Sequence, residues 1–96
     1  MKPKNDLTLA EAMQLMLQEY RLGTQLNEMR VKSLWAKLMG KTINTYTSQI
    51  NVRKRVLYIS ILSAPLKHEL SFAKDKIRDL INTELGEDFI QDVVIL

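Results

Sequence analysis

Ninety-six residues, 46% of them hydrophobic and 26% charged, are expected to make one soluble domain with a modest core and leave little room for a second. No cysteine is present, which excludes a disulfide framework and any thiolate zinc site. The net charge of +3 hides an uneven split. Residues 41–78 hold eight Lys/Arg against two acids, whereas residues 79–96 hold five acids and no cation. A basic face for a polyanion, beside an acidic patch, is the expectation.

Residues 1–6 carry two lysines with no apolar run behind them, so they read as a flexible N-terminal tail rather than a signal segment. The longest apolar run, near Val56, is far too short to span a membrane, and a cytoplasmic protein is expected. Residues 7–96 then form a single domain. A capping box, Thr8-Leu9-Ala10-Glu11, opens a first helix. Its predicted buried face is Leu9, Met13, Met16 and Tyr20, with Ala12 and Leu17 beside it and the two methionines filling core gaps. Gly23 and Thr24 mark its end, and Asn27 caps a second helix whose Val31, Leu34, Trp35 and Leu38 share one face. Gly40 suits the left-handed position that stops it.

A first strand follows. Thr42, Asn44, Tyr46, Ser48, Ile50 and Val52 alternate on one face, with Ile43, Thr45, Thr47 and Gln49 on the other. Its polarity suggests a sheet edge. Arg53-Lys54-Arg55 make a hairpin turn of unspecified type, since no Gly or Asn-Gly is present. The second strand, Val56–Ile61, puts Leu57, Ile59 and Ile61 toward the core. Ser63 caps a third helix with Pro65 in its first turn. That helix keeps an apolar stripe through Leu66, Leu70, Ala73, Ile77 and Leu80–Ile81 to Leu85, and Gly86 ends it. A short strand from Phe89 to Leu96 closes the chain. The predicted fold is α+β, in the order α-α-β-β-α-β, with helices packed on a three-stranded sheet.

No catalytic constellation emerges. His68 is the lone histidine and has no Cys or His partner, so neither a zinc site nor a nucleophile–base pair can be assembled around it. Asp88 and Asp92, four residues apart on a strand, are separated by roughly 13 Å, too far to share a metal. No phosphate loop or dinucleotide fingerprint is present. The expectation is a non-enzyme with no metal or cofactor.

The basic residues carry more. Lys67, Ser71, Lys74 and Arg78 recur at i, i+4, i+7 and i+11 opposite the apolar stripe, which makes a ridge able to meet phosphates. Arg53, Lys54 and Arg55 at the hairpin tip are expected to act similarly, as a mobile arm. The competing reading is a solvated helix face and a charged turn. Trp35 could stack on a base, but its register with Val31 and Leu38 assigns it to the core. Tyr46 and Tyr58 are expected on one sheet face, as packing residues if a helix covers it.

The order of residues resembles the bacterial DciA family. The likeness is carried by Leu34-Trp35-Ala36-Lys37-Leu38-Met39-Gly40, by Ile43 and Thr45–Thr47, and by Leu57-Tyr58-Ile59-Ser60. It continues through Ser63-Ala64-Pro65-Leu66-Lys67-His68-Glu69-Leu70, the Ile77…Leu80-Ile81-Asn82 stripe, Leu85-Gly86 and the Val93–Ile95 strand. The resemblance implies a fold related to the KH domain, in a short form without the disordered tail of larger members. It also implies nucleic-acid affinity, DNA ahead of RNA, and contact with the DnaB-type replicative helicase during DNA replication. The Gly-X-X-Gly clamp of functional KH domains is missing here. The six site residues are therefore an electrostatic inference. The alternative is a protein–protein adaptor or homodimer that does not touch nucleic acid.

Overall fold

The structure, a computed structural model, describes residues 7–96; the predicted tail lies outside them. Its elements are α1 (Leu9–Thr45), β1 (Thr47–Arg53), β2 (Val56–Ile61), α2 (Ala64–Ser71), α3 (Lys74–Leu85) and β3 (Asp92–Ile95). The expected α+β succession holds, with helix before the sheet, a hairpin, a helical crossover and a closing strand. The positions of several helix breaks differ.

The helix predicted to stop at Gly23 runs on. A glycine inside a helix costs only about 1 kcal/mol relative to alanine, and no proline enforces a break. Asn27, expected as an N-cap, is instead a buried mid-helix residue whose Nδ2 donates to Glu87 Oε1 at 3.1 Å. One turn on, the Arg30 guanidinium donates to the carbonyl of Glu84 at 3.3 Å. These contacts tie the middle of α1 to the last turn of α3 and the segment just beyond it. The capping box at Thr8 and Glu11 forms as expected.

Gly40 takes φ 86° and ψ 172°, a conformation essentially restricted to glycine, so the chain kinks there and then resumes a short helix to Thr45. Residues 42–45, predicted as strand, therefore belong to α1. The strand begins at Thr47, and Tyr46 caps the helix instead of lying on the sheet.

The sheet order is β1-β2-β3, with β1 antiparallel and β3 parallel to the central β2. β1 is an edge strand, as its polarity indicated. Its pairing shifts between Thr47 and Gln49, leaving Ser48 bulged. That extra residue reverses the predicted alternation, so Thr47 turns inward on the side of Ile50 and Val52. There Thr47 Oγ1 accepts a 3.0 Å hydrogen bond from Trp35 Nε1 and donates at 2.8 Å to the carbonyl of Ile43. Trp35 is fully buried, which places it in the core.

All three helices pack on one face of the sheet. Val31 and Trp35 of α1, Leu70 of α2, and Ile77, Ile81 and Leu85 of α3 meet Val52, Leu57, Ile59, Ile61 and Val93. Asn51, Arg53, Val56, Tyr58 and Val94, on the opposite face, stand outside this cluster. That face carries Tyr58 alone of the two tyrosines expected there. Phe89 and Ile90, predicted to start the last strand, are buried just before it. Asn82 anchors them: its Nδ2 donates to the Ile90 carbonyl and its Oδ1 accepts from the Ile90 amide, both at 2.8 Å.

The predicted third helix is two. Phe72 and Ala73 break it, their amides closing tight turns to the carbonyls of Glu69 and Leu70. Ser63 caps α2 and Gly86 ends α3 as expected.

The N-terminal half of α1 is the largest departure from expectation. Leu9, Met13, Met16, Leu17 and Tyr20, predicted as a buried face, are all exposed. From Leu9 to the kink at Gly40 the helix is about 47 Å long, far more than the rest of the domain can cover. The helix thus projects as an arm, free of the body up to about residue 18 and bordering Arg55, Glu87 and Phe89 from Glu19 to Thr24, and stretches the molecule to 67 × 20 × 19 Å.

Candidate nucleic-acid interface

The six cations singled out in the sequence divide between two ends of the sheet. The hairpin tip adjoins Val56, which pairs with Asp92 at the start of β3. Lys67, Ser71 and Lys74 line a shallow depression of about 270 Å³ together with His68 and Ile95, at the end of β3. Along β3, Asp92 to Ile95 covers three residue steps, about 10 Å, so the two sites flank opposite ends of that strand.

At the tip, Lys54 and Arg55 both have positive φ, 49° and 66°, and Arg53 pairs with Val56. The connection is therefore a two-residue turn of the mirror-image type that matches strand twist, built without glycine or asparagine. Left-handed conformations cost such residues about 1–2 kcal/mol each. Arg55 offsets this. Its Nε donates to the Phe89 carbonyl at 2.8 Å, a second guanidinium nitrogen donates to the Asp88 carbonyl, and the group lies 5.5 Å from the centre of the Phe89 ring. The Arg55 carbonyl in turn accepts from the Gln91 amide at 2.8 Å. The expectation of a mobile basic arm is corrected: Arg55 clamps the tip to the segment leading into β3. Arg53 and Lys54 remain exposed.

The ridge is also rearranged. Because the helix breaks at Phe72–Ala73, Lys67 and Ser71 belong to α2 while Lys74 and Arg78 belong to α3. The break keeps Lys67, Ser71 and Lys74 around one depression but does not bring Arg78 into it. Arg78 instead meets Asp79 at 3.1 Å through its Nε and Asp75 at 3.5 Å. The hydrogen bond to Asp79 raises its pKa above the ordinary arginine value, reinforced by the charge of Asp79 and those of Asp75 and Asp92. Among the described residues, Arg78 is the only cation in an ion pair; Lys67 and Lys74 are in none.

Two features of this end were not singled out from the sequence. Phe72, at the break, is 79% exposed, and its ring meets the His68 ring edge-on with centroids 4.9 Å apart. The sequence did carry a signal, because Phe72 falls off the Leu66–Leu70–Ala73–Ile77 stripe. In addition, α3 begins at Ala73 with no side-chain cap, so its first amides add partial positive charge next to Lys74. The junction thus combines two free ammonium groups, a hydroxyl, uncapped helix amides and an exposed aromatic pair.

Among the described residues, no group of three or more His, Cys, Asp or Glu could hold a metal ion, and no helix is long and apolar enough to cross a membrane. Residues 8–95 match the family described as Dna[CI] antecedent, DciA. No curated protein and no solved structure matches the chain. The family match spans nearly the whole sequence and agrees with the resemblance carried by the Trp35–Gly40 and Ser63–Leu70 segments.

Proposed function

We propose that this chain, which belongs to the DciA family, is a DNA-associated accessory factor of replication that engages DNA through the α2–α3 junction and contacts the DnaB-type helicase. The observation that carries the DNA reading is the grouping of unpaired Lys67 and Lys74 with Ser71 and the exposed His68–Phe72 pair. Ammonium groups and helix amides recognise phosphate without reading sequence. An exposed aromatic ring beside them supplies a stacking surface for an unpaired base, which favours single-stranded DNA. Arg53 and Lys54 provide a second phosphate contact at the other end of the sheet. Arg78 and Arg55 serve mainly to shape the two sites, Arg78 with its charge shared among Asp75 and Asp79 and Arg55 as the clamp on the tip. The helicase contact follows from the family alone, and a bacterial replication factor of this kind would act in the cytoplasm.

Fluorescence anisotropy with a labelled single-stranded oligonucleotide, titrated at several salt concentrations, tests the reading. Each single-strand phosphate contact contributes about 0.7 to the slope of log affinity against log salt, so K67A/K74A should flatten it by about 1.4. Phe72→Ala should weaken binding about 5- to 150-fold with the slope unchanged, as loss of one stacked base requires. An unaltered slope in K67A/K74A overturns the assignment. The second reading, an adaptor that binds protein alone, is favoured by the edge position of β1. Flat anisotropy together with capture of purified helicase would establish it.

A further inference from the structure

We propose that the arm of α1 is a self-association surface, pairing antiparallel with the arm of a second copy of this chain. The stripe consists of Leu9, Met13, Met16, Leu17 and Tyr20, between 47% and 78% exposed, with half-buried Thr24 at its inner end. Their successive spacings are 4, 3, 1, 3 and 4 residues, so the stripe reads the same from either end. An isologous interface needs a patch that complements itself under a two-fold rotation, and this spacing supplies one. With the axis between Met16 and Leu17, Met13 meets Tyr20 of the second copy, Met16 meets Leu17, and Leu9 meets Thr24.

Charge and length agree with the pairing. No charged residue lies between Glu11 and Glu19, and the same axis sets Glu11 against Leu22, Glu19 against Gln14 and Arg21 against Ala12. No like charges are brought together. The first buried residue of α1 is Asn27, which the axis maps to position 6, just past the start of the helix at Leu9. Before that point Tyr20 and Thr24 border a cleft with Arg55, Glu87 and Phe89, so the partner's helix tip enters this cleft at the base of the arm. Leu15, Leu22, Leu26 and Met29 on the far side of the helix lack this symmetry and stay outside the pairing. Five large side chains closed from about two-thirds exposure remove on the order of 500 Å² per copy, which brings the pair to the roughly 1,000 Å² that a specific interface requires.

Sedimentation equilibrium of the full chain from micromolar to near-millimolar concentration tests this directly. A reversible monomer–dimer equilibrium is expected, with Met16→Glu weakening it by about 100-fold, because the substitution buries two carboxylates at the axis. Trp35, the single tryptophan, is buried in the body and its fluorescence reports that the variant remains folded. The orientation is tested by disulfide trapping, since the chain has no natural cysteine. Mixing Met13→Cys with Tyr20→Cys chains should yield a 13–20 cross-link more readily than either variant forms with itself. A chain that stays monomeric throughout overturns the proposal, including one whose Met16→Glu variant loses helicase binding, for then the stripe serves a different protein. Preferential 13–13 cross-linking overturns the antiparallel register.

Discussion

Replacing Asn82 with alanine tests how the end of the chain is held. Asn82 and Ile90 are both buried, and the Asn82 amide satisfies both backbone polar groups of Ile90 at 2.8 Å. Truncation leaves the Ile90 N–H and C=O without partners in an environment that water does not reach. Each orphaned buried group costs about 1–3 kcal/mol, so the pair predicts a loss of about 2–6 kcal/mol. That is a large share of the 5–15 kcal/mol typical of a folded domain. For a chain of this size, a loss of about 3 kcal/mol corresponds to a fall in Tm of about 12–24 °C. Urea unfolding followed by circular dichroism measures the loss, and hydrogen exchange at the Ile90 amide locates it. A change below about 1 kcal/mol, with the Ile90 amide still protected, would refute the reasoning.

The same substitution at two glycines should act in opposite directions. Gly23 lies in regular helix, and a methyl group added there would meet nothing within 4 Å, so Gly23→Ala should stabilise the arm by about 0.5–1 kcal/mol, seen as slower hydrogen exchange of its amides. Gly40→Ala meets no atom either, but φ 86° with ψ 172° strains any L-residue, and a loss of about 1–3 kcal/mol is expected in thermal unfolding.

Much of the body was legible in the sequence. Trp35 with Val31 and Leu38, the Leu57/Ile59/Ile61 face, the Thr8 capping box and the Ser63 cap depend on periodicity and local hydrogen bonding, both of which act over a few residues. The misplaced boundaries have a common cause. Gly23 and Asn27 have the residue types of a helix break, but Asn27 and Arg30 find partners on Glu87 and Glu84, some sixty and fifty-four positions away. Local signals cannot anticipate those partners. The bulge at Ser48 is similar, since a one-residue slip in pairing is invisible until the second strand is in register.

The candidate site shows the same division. Its cations could be counted in the sequence, but their grouping depended on a helix break at Phe72–Ala73 that no glycine or proline announced. That break keeps Lys67 with Lys74, leaves Arg78 among acids and exposes Phe72. Arg55 looked like its neighbours until the segment before β3 folded beneath it.

By itself, then, the order of residues determined the α+β class, the apolar faces of β2 and α3, and membership of the DciA family. Each is set by period, by caps or by composition. Only the tertiary structure decided that one apolar helical stripe serves two ends. Around Val31 and Trp35 it has a sheet to cover it; from Leu9 to Tyr20 it has run past the end of that sheet. Periodicity records that a face is apolar, while burial depends on whether anything lies opposite it.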